Sequence, residues 1–306
     1  MKYSSFYFLM LAFIFSSCGF NDDITKKDSP TTGSIQFFFD EGLTLHINNQ
    51  LNTFKTIYEY AVITSKSTNE KDCLEGLFND SCKVIAITRP LTESELDKFN
   101  AKNIHIESSL VAKDAIAVIV SKSFADSTLS IERLQELLNG NDSSYVKNTH
   151  LSIVFDNQQS GSAYLLKNKL APHHNFGKNC SAMTNSTDLI KNISENSRHI
   201  GICDYAWLSD KDDNTTKAFL KKIKILAISN HDNETAYMPD QSNIATGDYP
   251  LVKNIYIIRR SSDFSLAKGI QTFIAGEKGQ LMFLKQGLPP NRQEERVIEV
   301  TMTPMK

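Results

Sequence analysis

The chain has 306 residues, 41% of them hydrophobic and 22% charged, enough for two lobes that each enclose a core. Its formal net charge is -2 and its pI is near 6.4. It therefore lacks the basic field of nucleic-acid binders, and nucleic acid is not expected as a partner.

At the N-terminus Lys2 precedes the apolar run "FYFLMLAFIF" (Phe6 to Phe15), followed by Ser16, Ser17 and Cys18. A basic start, a short apolar core and small residues describe a secretory signal. The run falls short of the roughly 20 apolar residues a spanning helix needs. Small residues directly before a Cys resemble the lipobox of bacterial lipoproteins. That resemblance implies a signal peptide over 1–17 and lipid attachment at Cys18. Residues 18–33 are rich in Asp, Lys, Ser, Thr and Pro and read as a flexible tether. Asp22 and Asp23 resemble the surface-export signal of some Gram-negative lipoproteins. Cys73, Cys82, Cys180 and Cys203 remain, in a disulfide-permissive compartment that allows three pairings. Cys73–Cys82 with Cys180–Cys203 is the local arrangement, and four buried free thiols are the alternative. No C-x-x-C occurs and His173-His174 stands alone in a loop, so neither a metal site nor a cofactor is expected.

From Ser34 short apolar runs alternate with helical spacing. "SIQFFFD" reads as a strand, "LHINNQLNTFKTIY" as a helix, "EYAVITS" as a strand, "NEKDCLEGLF" as a helix and "CKVIAIT" as a strand. "TESELDKFNAKN" is a helix opened by Thr92, with Glu95 three residues on in a capping box. "IHIESSLVA" and "AIAVIVS" read as two strands close together. "SIERLQELLNG" is a helix starting at Ser130, "LSIVFD" a strand, "GSAYLLKNKL" a helix, and Ser186 to Ile193 another. "HIGICDYAWL" and "IKILAIS" read as strands, followed by a polar stretch from Asn230 to Pro250. "LVKNIYIIRR" is a strand, "SLAKGIQTFIAG" and "EKGQLMFLKQG" are helices, and "RVIEVTM" closes as a strand. The rhythm predicts an α/β fold with a mostly parallel sheet, in two lobes around a cleft.

Three loops follow strands, where open α/β sheets gather ligands. The first, "DEGLTLHIN", offers Gly42 and Thr44. The second, "AITRPLTESE", offers Thr88 and Arg89, whose guanidinium suits an oxyanion. The third, "DNQQSGSAYLL", offers Ser160, Gly161 and Ser162. As a helix start it presents unpaired N–H groups, a glycine that admits a ligand and a hydroxyl donor. Each loop is equally readable as an ordinary cap or turn. A G-x-S-x-G nucleophile elbow fails at its second glycine, which makes hydrolase chemistry a distant reading.

The order of these segments resembles the substrate-binding proteins of phosphate ABC importers, PstS-like members of the type II periplasmic binding proteins. The likeness spans roughly Ser34 to Pro290. "CLEGLFNDSCKVIAITRPLTESEL" is similar to that family's helix, strand and Ser-Arg-x-Leu segment. "VAKDAIAVIVSKSFADSTLSIERLQELLNG" is similar to its hinge strand and Gly-ended helix, and "FDNQQSGSAYLL" stands where its SGT phosphate loop does. "RHIGICDYAWL", "YPLVKNIYII" and "FIAGEKGQLMFLKQGLPP" resemble its later strands and closing helices.

The resemblance implies a two-lobed fold with a ligand cleft between the lobes. Lobe 1 comprises 34–114 and 248–306, and lobe 2 comprises 115–247. The lobes hinge near Ala115 to Val120 and Tyr249 to Leu251. It implies a monomeric, lipid-anchored protein of the cell envelope, not an enzyme, that captures a small oxyanion, with phosphate leading, for an ABC-type permease. Its ligand residues are Gly42, Thr44, Thr88, Arg89, Ser160, Gly161 and Ser162. Two positions depart from the pattern. The first loop carries Glu41 and Leu43 where hydroxyl donors are usual, and Asp156 stands where many phosphate binders place Arg. Both motivate the alternative of an accessory envelope protein that keeps the fold without the ligand.

Overall fold

The computed structural model describes residues 27–140, 151–172, 175–261 and 264–292. The signal peptide, Cys18, Asp22 and Asp23, His173-His174 and the strand expected at "RVIEVTM" lie outside the described residues. In chain order, β1 (Gly33–Asp40) runs through a 3-10 turn, Glu41–Leu43, into α1 (Thr44–Ile57). Then come β2 (Ala61–Thr68), α2 (Glu70–Phe78), β3 (Val84–Ile87), α3 (Glu93–Ala101) and the long β4 (Ile106–Ser121). The middle holds β5 (Thr128–Ser130), α4 (Ile131–Leu138), β6 (Ser152–Phe155), α5 (Gly161–Leu170), β7 (Cys180–Ala182), α6 (Ser186–Glu195) and β8 (His199–Asp204). The remainder is α7 (Ala206–Ser209), α8 (Asn214–Leu220), β9 (Ile223–Ile225), β10 (Ala227–Ser229), α9 (Gln241–Thr246), β11 (Val252–Arg260), α10 (Leu266–Ala275) and α11 (Glu277–Lys285).

Side-chain alternation explains why helices cover both faces of the sheet. In β1, Ile35, Phe37 and Phe39 enter the main core, while Phe38 points the other way into a second cluster with Cys73, Leu77, Ile85 and Phe99. Helix starts follow their side chains. Thr92 and Glu95 form the expected capping box, Ser130 accepts from Arg133 N–H, and Ser160 accepts from Ala163 N–H.

The sheet is mixed rather than mostly parallel. Its order is β2-β1-β3-β11-β4-β8-β6-β7, with β9 also on β4. The outer groups β2-β1-β3 and β8-β6-β7 are parallel, whereas β11 and β4 join them through antiparallel pairs. The two strands expected at 104–121 are one. Lys113 and Asp114, which read as a break, are held: Lys113 donates to Ala245 O (3.0 Å) and Asp114 pairs with Lys253. β4 changes partner between Ala115, opposite Val252, and Ile116, opposite Asp204. There Ile116 N–H donates to Leu251 O (2.9 Å) and Tyr249 O–H donates to Ile116 O (2.6 Å).

Other differences are local. The run expected as one strand at 223–229 splits into β9 and β10, which join different sheets. The strand expected through Leu208 stops at Asp204 and turns into α7. The end of the expected tether is docked, because Asp28 accepts from Leu266 N–H (2.8 Å) at the start of α10. The four cysteines among the described residues, Cys73, Cys82, Cys180 and Cys203, are free thiols. Cys180 and Cys203 lie on strands with β6 between them, a spacing of about 9–10 Å that no disulfide bridges.

Tyr249→Phe is expected to destabilise the fold by about 1–3 kcal/mol, since it strands a buried carbonyl at the crossing. Urea unfolding measures this, and an unchanged midpoint would remove Tyr249 from the crossing's support.

Candidate functional site

The carboxyl ends of β1, β2, β3, β6 and β8 converge. They deliver Asp40, Glu70, Thr88, Asp156 and Asp204 to one buried zone between the lobes. Thr88 is buried, and both its N–H (2.7 Å) and its hydroxyl (2.8 Å) donate to Glu70 Oε1. Arg89 Nε donates to Glu70 Oε2 (3.1 Å), while its Nη1 and Nη2 each donate to Glu95 at 2.8 Å. Its guanidinium also lies over the Tyr164 ring, 4.5 Å from the centroid. Burial works against the Arg89 charge, but Glu95 and Glu70 outweigh it and raise its pKa.

The start of α5 faces this group from the other lobe. Gly161 N–H points at Asp40 Oδ2 (3.4 Å). A Cβ on Gly161 would lie 1.9 Å from Thr88 Oγ1 and 2.6 Å from Glu70 Oε1, so only glycine permits this approach. Gly42 is equivalent, since a Cβ there would meet Asp204 Oδ2 at 1.8 Å. Ser162 O–H donates to Asp204 Oδ1, and the fully buried Lys253 ion-pairs with Asp204 and with Asp114 (3.5 Å). Lys253 also donates to Ser162 Oγ at 3.3 Å.

The structure thus brings together Gly42, Thr88, Arg89, Gly161 and Ser162. Ser160 caps α5 just behind them. Thr44 stays apart, because its hydroxyl donates to Glu41 O (2.6 Å) and shares a bond with Ser67. Glu41 reaches across to Ser186 at the start of α6, accepting from its hydroxyl at 2.9 Å. Asp40, Glu70, Asp114, Asp204 and Lys253 were not singled out from the sequence. Asp40 ends the predicted strand "SIQFFFD", so the strand-end rule that found Thr88 applies to it too, whereas Asp204 falls inside the strand expected through Leu208 and Glu70 inside a predicted helix. Lys253 carries no such mark.

So many carboxyl groups out of water shift their titration. Burial, then the charges of Asp204 and Glu70, hold the Asp40 pKa well above the ordinary carboxylate range. Asp156 accepts from Asn157 N–H (2.7 Å) and is raised to about 8 by burial, then by Asp204 and Glu41. Burial lifts Asp114 to about 7 against the pull of Lys253. Burial lowers the Lys253 pKa less than Asp204 and Asp114 raise it, so its ammonium stays protonated. A protonated Lys253 cannot take the Ser162 proton, which leaves Ser162 without a lysine base.

Residues 29–277 match the sequence profile of the PBP superfamily domain. The chain belongs to this superfamily. No curated protein sequence matches it significantly. Among solved structures, this PBP-superfamily chain is similar to a candidate phosphate ABC transporter substrate-binding protein with bound phosphate from Clostridium perfringens. That match has 13% identity and a TM-score of 0.71, covering 85% of this chain and 100% of the other. An ABC-type phosphate transport receptor from Vibrio cholerae matches at 15% identity and TM-score 0.64, over 84% and 99% of the two chains. PstS from Borrelia burgdorferi matches at 18% and 0.53, over 84% and 98%. At these identities the likeness establishes the two-lobed PBP fold.

Asp114 and Asp156 bind protons more tightly in the folded chain than in the unfolded one. Their stabilising effect is full below about pH 4 and is lost as pH climbs through about 7 and 8. Thermal unfolding is expected to show a Tm several degrees lower at pH 8.5 than at pH 5.5, with a shallower slope in Asp156→Asn. A Tm that rises over that interval would contradict it. Lys253→Ala is expected to cost about 3–5 kcal/mol in urea unfolding, and more at pH 8.5, because two buried carboxylates lose their counter-charge. A cost under about 1 kcal/mol would contradict the pairing.

Proposed function

We propose that this protein is a solute-binding protein of the cell envelope that captures a small oxyanion, with phosphate leading, and passes it to an ABC-type permease. One observation carries this reading. Donors from both sides of the cleft converge on carboxyl oxygens: Thr88 N–H and O–H and Arg89 Nε on one side, Gly161 N–H and Ser162 O–H on the other. That is the donor set a tetrahedral oxyanion uses, with the α5 dipole behind it. The phosphate bound in the Clostridium structure and the phosphate transport role of the Vibrio receptor support the same ligand class.

Within this reading, lobe 1 is 34–114 with 248–306, and lobe 2 is 115–247. The change of partner in β4 between Ala115 and Ile116 supports that division. Closure would bend β4 and the segment from Tyr249 to Leu251. The protein acts as a monomer without a cofactor, is anchored through a lipid on Cys18, and makes or breaks no bond. A second reading has its own observation: the donors are already engaged by Glu70, Asp40 and Asp204. It makes the chain an accessory envelope protein that keeps the closed fold without a solute.

Calorimetric titration of the folded chain with phosphate, sulfate and molybdate separates the two. Capture predicts saturable phosphate binding, weakened at least tenfold in Ser162→Ala and Arg89→Ala, a change of about 1.4 kcal/mol or more. Absence of saturable heat with every oxyanion at millimolar concentration would favour the accessory role.

A further inference from the structure

Glu70 sits where the capture reading places its solute. It opens α2, directly after the Asn69 cap, and is 3% exposed. Its Oε1 takes both Thr88 donors and its Oε2 takes Arg89 Nε. The opposite lobe closes over the same oxygen, because a Cβ placed on Gly161 would lie 2.6 Å from Oε1. This carboxylate therefore has the surroundings of a bound ligand: paired backbone and hydroxyl donors, a guanidinium edge and a glycine lid from the other lobe. The nearby carboxyl groups Asp40, of lobe 1, and Asp204, of lobe 2, leave little positive charge to receive a further anion.

We propose that Glu70 is a resident anion, a specificity-determining side chain that fills the oxyanion position and must be displaced by any solute that enters. The proposal rests on the capture reading. A tethered carboxylate competes at a high effective concentration, so a free anion wins only by offering more bonds than Glu70 makes. Multiply charged anions face the added repulsion of the displaced carboxylate beside them. Glu70 thus holds phosphate and sulfate affinity down and protects the cleft from chance anions. When displaced, it releases Thr88 and the Nε edge of Arg89, while Glu95 still holds the rest of the guanidinium.

The test is calorimetric titration of phosphate and sulfate into wild type, Glu70→Gln, Glu70→Ala and Glu70→Ala/Ser162→Ala. Near-ultraviolet circular dichroism establishes that each is folded. Glu70→Ala is expected to bind phosphate at least tenfold more tightly than wild type. Glu70→Gln, which keeps an acceptor for Thr88 without the charge, falls between them, and the double variant loses the gain. Formate at millimolar concentration should refill the vacated position, raising the Tm of Glu70→Ala and leaving wild type unchanged. If wild type binds phosphate as tightly as Glu70→Ala, the resident-anion role is overturned and the capture reading stands. If no folded variant binds an oxyanion, the capture reading falls and the proposal with it. Should Glu70→Ala fail to fold, Glu70→Gln carries the comparison, and phosphate binding no tighter than wild type overturns the role.

Discussion

Lys253 is buried with its ammonium inside the protein, and the architecture around the cleft follows from the need to compensate it. An unpaired ammonium out of water is untenable at neutral pH, so its partners must be as deeply buried as it is. Asp204 comes from the end of β8 and Asp114 from the middle of β4, while Lys253 itself stands on β11. These three strands are neighbours in the sheet, and β4 changes partner one residue beyond Asp114. The ion pairs therefore sit at the crossing between lobes. A group that bridges the crossing is satisfied only while the strands around it keep their places, which ties the electrostatics of the cleft to its conformation.

The same economy explains the rest of the cleft. Backbone N–H groups at a helix start and buried hydroxyls require acceptors wherever water is excluded. Here carboxylates of the chain supply them: Glu70 for Thr88, Asp40 for Gly161, Asp204 for Ser162 and Glu41 for Ser186. Where the acceptor is ionised the bond is charge-assisted and stronger than a neutral one. The repeated use of one acceptor type crowds negative charge into a dry space, and the raised pKa values of Asp40, Asp114 and Asp156 are the consequence. Part of the cleft relieves its crowding by holding protons instead of counter-ions.

Much of the scaffold was legible in the sequence because it depends on local chemistry. The capping residues Thr92, Ser130 and Ser160 mark helix starts through bonds that reach only three residues. "SIQFFFD" declares a strand covered on both faces by its run of three Phe. The colinear resemblance located the cleft, and with it Thr88, Gly161 and Ser162. What escaped depends on distant partners. Lys113 and Asp114 read as a polar break because nothing nearby shows that Ala245 and Lys253 will satisfy them. Lys253 sits among the alternating residues of "LVKNIYIIRR", where a lysine ordinarily faces solvent. Glu70 looks like a routine acidic residue in a first helical turn, which it also is. Strands of three residues, such as β5 and β7, are too short for a period to emerge.

The position of Asp156 shows how the departures from the family pattern form one system. In isolation an acid in place of the expected Arg argues against an anionic ligand. In the structure it is buried, accepts from Asn157 N–H and has its pKa raised to about 8, so near neutral pH it is largely a neutral group. Glu41, the other departure, is spent on Ser186 rather than aimed at an anion. Neither acid therefore opposes an oxyanion with a full free charge in the closed form. The opposition comes from Glu70 and Asp204, which hold the donors directly. Opening the lobes would return Asp156 to water, where it ionises, so closure and proton uptake are linked through that residue. An anion that enters must therefore contend with two things, the carboxylate already seated on Thr88 and the protons that let the cleft close.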